Sequence, residues 1–183
     1  MTDPTGCACG HAAALPSRRV FVATLACAAV WPAAVAARDV SPAEDERFMR
    51  MALAEARRGN FPFGCVIVHD GRVLARGRNL GRTNHDPTAH GEMVAIRRCV
   101  AAYGGAALRG STLYTSGEPC AMCMGAILWS HIGRLVYAAS VEQLATKIDQ
   151  IMVSSADLAA QARFAPISIT GGVLADEAMR LFR

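Results

Sequence analysis

A chain of 183 residues with 52% hydrophobic and 19% charged residues suits one domain and is too apolar to be disordered. Its formal net charge of +4 rests on arginine, Lys147 being the sole lysine, and so mild a balance gives no ground by itself for nucleic-acid binding.

Residues 1–36 read as an address. Paired Arg18 and Arg19 precede an apolar run from Val20 that closes on the small residues Ala34, Val35 and Ala36. Ser17-Arg18-Arg19-Val20-Phe21 resembles a twin-arginine export signal, which implies a periplasmic protein with no lasting membrane insertion. The run is just long enough for a membrane anchor, but Pro32 and the leucine-poor, alanine-rich composition favour cleavage. Thr24 stands where a lipoprotein signal has leucine, which argues against lipidation of Cys27. Removal after Ala36 takes Cys7, Cys9, Cys27 and His11 away and leaves a charge near +3 on residues 37–183.

Residues 37–183 read as one domain. Ser41, Pro42 and Glu44 form a capping-box start for a helix that carries Phe48, Met51, Ala52, Leu53 and Ala56 to a stop at Gly59-Asn60. "GCVIVHDGRVLARG" predicts two strands around an Asp70-Gly71 turn, with Cys65 buried in the first. "NHDPTAHGEMVAIRRCVAAYGG" predicts a helix that Thr88 can cap and Gly104-Gly105 ends. "STLYTS" is a strand, "EPCAMCMGAILWSH" a helix with Pro119 in its first turn, and "RLVYAAS" a strand. Residues 141–155 are open between loop and short helix, and "ADLAAQARF", "ISIT" and "LADEAMRLF" close the chain as helix, strand and helix. Strands alternating with helices call for an α/β fold of three α/β/α layers, with helices on both faces of a mixed five-stranded sheet.

Cys120 and Cys123 are two residues apart at a helix start, and a disulfide between them would close too small a loop. A thiol redox couple is open to them, since a helix N-terminus favours thiolate. The decisive companion is His90-Gly91-Glu92, which opens the preceding helix. Two thiolates and an imidazole are a set that holds Zn²⁺ and leaves a fourth position for water. Both half-sites follow loops that leave strands, which directs them to one edge of the sheet.

His90-x-Glu92 and Pro119-Cys120-x-x-Cys123 resemble the signature of the zinc-dependent cytidine and nucleobase deaminase superfamily over roughly residues 42–140. The resemblance implies one Zn²⁺ on His90, Cys120 and Cys123, and Glu92 as the group that shuttles protons. It makes Asn79 a hydrogen-bonding partner of the base, against a plain turn role, and Trp129 a packing surface for a purine, against a core role beside Met122 and Ile127. Glu118 is a second-tier substrate contact or an ordering group for its loop, and Asp149 stands for an acidic residue that closes over the base.

"NHDPTAHGE" resembles both the guanine deaminase and the tRNA adenosine deaminase branches, with Gly91 where alanine is usual. The C-terminal stretch is no basic patch, so a free base or related amino-heterocycle, a guanine-like purine foremost, is expected rather than RNA. tRNA editing is the alternative, and a non-catalytic exported zinc protein a third reading. A homodimer or larger homo-oligomer follows from the resemblance alone.

Overall fold

The computed structural model describes residues 40–182. The expected export signal at 1–36 lies outside them. Among the described residues no helix is long and apolar enough to cross a membrane.

Helix α1 (Pro42–Ala56) starts where Ser41 Oγ accepts the Glu44 amide at 3.2 Å. Its buried stripe is Phe48, Met49, Ala52, Leu53 and Ala56, with Met51 only half-buried. Strands β1 (Gly64–His69) and β2 (Arg72–Arg78) form the expected hairpin, and both Asp70 and Gly71 take positive φ at its turn. A short helix α2 (Gly81–Asn84), not expected from the sequence, precedes α3 (Gly91–Tyr103), which Gly104 ends at φ +78°. The N-cap of α3 is His90, while Thr88 instead donates twice to Asp86 Oδ1, so the expected Thr88 cap is not formed.

Strand β3 (Thr112–Gly117) leads to α4 (Ala121–Trp129), and strand β4 (Arg134–Ala139) follows. Helix α4 begins after Cys120, so Pro119 stands outside the first turn where the sequence had placed it. The open stretch resolves into α5 (Val141–Ala145), capped by a Ser140–Gln143 box, and a loop. Helix α6 (Ser155–Gln161), strand β5 (Ser168–Thr170) and α7 (Ala175–Met179) complete the order.

The sheet runs β2-β1-β3-β4-β5, antiparallel in its first two pairings and parallel in the last two, as a mixed sheet should. Alternation along the strands divides two cores. Cys65, Ile67, Leu113 and Leu135 face α3, α4 and α6, whereas Val66, Val68, Tyr114 and Val136 face α1 and α7. Glycine sets two close approaches: a Cβ on Gly64 would collide with the backbone of Ala52 and Ala56, and one on Gly77 with that of Gly91 and Ala95. The start of α3 therefore lies directly on β2.

Candidate active site

Parallel β3 and β4 put the loop after β3 at the sheet edge where α3 also begins, and the two half-sites meet there. His90 and Cys120 are the N-cap residues of α3 and α4, both in extended conformation, and Cys123 is one turn into α4. The three donor atoms lie within 4.8 Å of one another. His90 Nδ1 is 3.7 Å from Cys120 Sγ and 3.6 Å from Cys123 Sγ. A tetrahedral ion with bonds of ~2.3 Å to sulfur and ~2.0–2.1 Å to nitrogen spaces such atoms by about 3.6 Å, so the donor set fits Zn²⁺.

Electrostatics agree with that fit. Cys123 donates a hydrogen bond to Cys120, which with the bond to His90 draws the Cys120 thiol down to about 4 and pushes Cys123 up. The hydrogen bond with Cys120 in turn raises His90. Two sulfurs packed beside an imidazole are a donor set on which a dication can replace protons.

Glu92 sits in the first turn of α3 and is 3% exposed. Burial pushes its carboxyl up, while a 2.7 Å hydrogen bond donated by Thr115 Oγ1 to Glu92 Oε1 works the other way. Thr115 was missed in the sequence. Its signal was available: alternation along β3 puts it on the same buried face as Leu113, where a hydroxyl needs a partner.

A cleft of ≈ 330 Å³ opens over this centre, with His90, Glu92 and Cys120 in its lining. Its apolar walls are Phe61 and Phe63, from the loop after α1, and Ile148 and Ile151, from the loop after α5. Asp149 lines it too, as does Glu118. Both oxygens of Glu118 are committed to backbone: Oε2 accepts the Val141 amide at 2.9 Å and Oε1 the Ser155 amide at 2.7 Å. That is the ordering role rather than direct contact with substrate through the carboxylate.

Asn79 and Trp129 are not among the residues that line this cleft. Asn79 is buried in a turn, where its Oδ1 accepts the Gly81 amide at 3.1 Å, and it is not part of the cleft lining. Trp129 is neither core nor cleft: it is 74% exposed and stacks on Phe164 with ring centroids 4.5 Å apart. The aromatic walls come from Phe61 and Phe63, which flank Pro62 in the loop after α1.

Three protein donors around a position open to a cleft, with a buried carboxylate alongside, define a metal centre of the catalytic rather than the closed structural kind. A family profile for the cytidine and deoxycytidylate deaminase zinc-binding region matches residues 42–139, and the chain belongs to that family, with zinc as its cofactor. It is 44% identical over 99 residues to a guanine deaminase of Bacillus subtilis, a match covering 51% of this chain and 64% of that one. It is 46% identical over 101 residues to a tRNA-specific adenosine deaminase of Agrobacterium fabrum, covering 53% and 66%. The matched stretch thus spans less than two thirds of either relative. Among solved structures, one from studies of A-to-I editing by tRNA:A34 deaminases aligns at TM-score 0.64 and 35% identity, over 74% of this chain and 98% of that one. A complex of NE0047 with 2,6-diaminopurine aligns at 0.65 and 26%, over 76% and 79%.

Proposed function

We propose that this protein is a zinc-dependent deaminase of a free nucleobase or related amino-heterocycle, with a guanine-like purine favoured. The cleft carries the reading: its ≈ 330 Å³ lies at the small end of the roughly 300–1,000 Å³ usual for small-molecule sites. Phenylalanine and isoleucine walls suit a flat ring, and Asp149 offers an acceptor to the N–H groups along one edge of guanine. An acidic residue in the cleft also disfavours a polyphosphate chain. Export to the periplasm, expected from residues 1–36, would bring free bases rather than tRNA to the enzyme.

His90, Cys120 and Cys123 would hold zinc, which supplies Lewis acidity that makes water nucleophilic near neutral pH. Glu92 takes a proton from the attacking water, passes it to the ring nitrogen beside the attacked carbon, and delivers a proton to the departing amine. The C–N bond breaks, ammonia leaves and a ring carbonyl remains. Thr115 occupies Glu92 Oε1, which leaves Oε2 for these transfers.

Ammonia release by zinc-loaded protein is measured on guanine, adenine, cytosine, their nucleosides and a tRNA anticodon stem-loop, with Glu92→Ala as control. Turnover of a free base that vanishes in the control is expected. Turnover of the stem-loop alone overturns the reading in favour of tRNA editing. A homo-oligomer belongs to the same proposal, and the exposed Trp129–Phe164 stack offers it an apolar surface; sedimentation showing a monomer would remove that part.

A further inference from the structure

The cleft wall formed by Ile148, Asp149, Gln150 and Ile151 has little fastening of its own. Among the described residues, no backbone amide from Asp149 to Met152 donates to another protein group. The wall hangs between two short helices, α5 and α6. The first amide of each, on Val141 and on Ser155, is held by one oxygen of Glu118. At the second anchor the hold is the amide itself, since Ser155 Oγ is buried without a hydrogen-bond partner. Glu118 is 5% exposed and stands two residues before Cys120, on the segment that carries the cysteines.

We propose that Glu118 is a positioning residue that fixes the substrate-facing wall 148–151 against the metal centre and thereby sets which base fits. A carboxylate buried with two amide donors makes charge-assisted bonds, the strong kind, and one rigid group holding the starts of both α5 and α6 fixes the span of the segment between them. The distance between wall and attacked carbon is then set from the segment that holds the metal. The inference rests on the deaminase reading of the cleft.

The anchors can be cut singly. Val141 is the first residue of α5, where proline is well accepted, and Ser140 at φ −72° and ψ 164° already has the conformation required before proline. Val141→Pro therefore deletes one donor amide with little change of volume. Glu118→Gln keeps the shape but turns an acceptor oxygen into a donor group facing an amide.

Zinc-loaded full-length wild type, Glu118→Gln and Val141→Pro are compared by zinc content, by hydrogen exchange over residues 141–155, and by kinetics on guanine and a second base. In both variants zinc stays at one per chain and exchange in the segment rises. KM for the preferred base increases roughly tenfold or more, kcat changes much less, and the ratio of kcat/KM between the bases shifts. Unchanged KM and base ratio, or loss of zinc and kcat at constant KM, overturns the proposal. If wild type turns over no base, the deaminase reading fails, and exchange alone then judges the tether: unchanged exchange rejects it.

Discussion

Thr115 and Glu92 come from different layers of the molecule, strand β3 and helix α3, and meet in a 2.7 Å hydrogen bond behind the metal centre. Strand pairing accounts for it. Gly77, Cys65 and Thr115 lie in one row across β2, β1 and β3, and the start of α3 rests on that row at Gly77. Glu92 follows one residue after Gly91 and lands beside the threonine.

Thr115→Val should leave zinc bound and lower kcat about 10–100-fold, the worth of ~1.5–3 kcal/mol for a hydrogen bond to a charged group. Glu92→Gln should cost more, at least ~100-fold, since it removes the proton carrier itself. Ammonia release at matched zinc content checks both, and an undiminished Thr115→Val rate would remove the threonine from the mechanism.

Chelation should abolish turnover, and added Zn²⁺ should restore it. Cys120→Ser and His90→Ala should each lose bound zinc by metal analysis, because three ligands leave no spare donor. Stoichiometric zinc in both variants would mean that the ion is held elsewhere.

Asp45 is 5% exposed in α1 and accepts two bonds from Arg134 Nη1 and Nη2, at 2.6 and 2.7 Å, and a third from Tyr114 at 2.9 Å. Arg134 also reaches Thr170 on β5, so the group ties α1 to three strands. Asp45→Ala should destabilise by ~3–5 kcal/mol, because Arg134 keeps its charge in a largely buried place with no carboxylate to balance it. Urea unfolding reads the change; a loss below about 1 kcal/mol would show that water replaces the carboxylate.

Burial pushes the Cys65 thiol up, with Glu92 adding to it, and burial and the bond to Asp45 push the Tyr114 hydroxyl up. Both groups stay protonated in the fold at pH values where the unfolded chain releases the proton, so the native state binds more protons. Their contribution to stability should therefore be constant up to roughly pH 8.5, fall first through the cysteine and fall further above roughly pH 10 through the tyrosine. Tyr114→Phe should flatten the upper part of a chemical-denaturation profile against pH, and an equal slope in both proteins would exclude the tyrosine.

The Cys120–Cys123 pair and the order of elements were legible because each depends on near neighbours, and His90, thirty residues before Cys120, was legible from its own motif at a helix start. A Cys-x-x-Cys pair shares one helical turn wherever that turn is placed, and Asp70-Gly71 makes its turn from two residues that tolerate positive φ. Helix starts were less legible. Thr88 and Pro119 have the right chemistry for the first turn, yet His90 and Cys120 took the cap positions, where their side chains reach the metal centre instead of the helix amides. Trp129 shows the limit for single aromatics, since an exposed stack on Phe164 depends on a residue thirty-five positions further along the chain.

From its sequence alone this protein could be given its donor atoms and an α/β frame with both half-sites at one sheet edge, which follow from residue type, short spacing and the periods of helix and strand. The proton-carrying part expected of Glu92 came from the resemblance that His90-x-Glu92 carries. Only the tertiary structure decided that Thr115 backs Glu92, that Phe61, Phe63 and the 148–151 loop wall the cleft, and that Glu118 grips the first amides of the two helices that flank that loop. Such contacts join positions 23 to 37 residues apart, for Thr115 with Glu92 and for Glu118 with Val141 and Ser155, and they exist only once strand order and helix packing have brought the segments together.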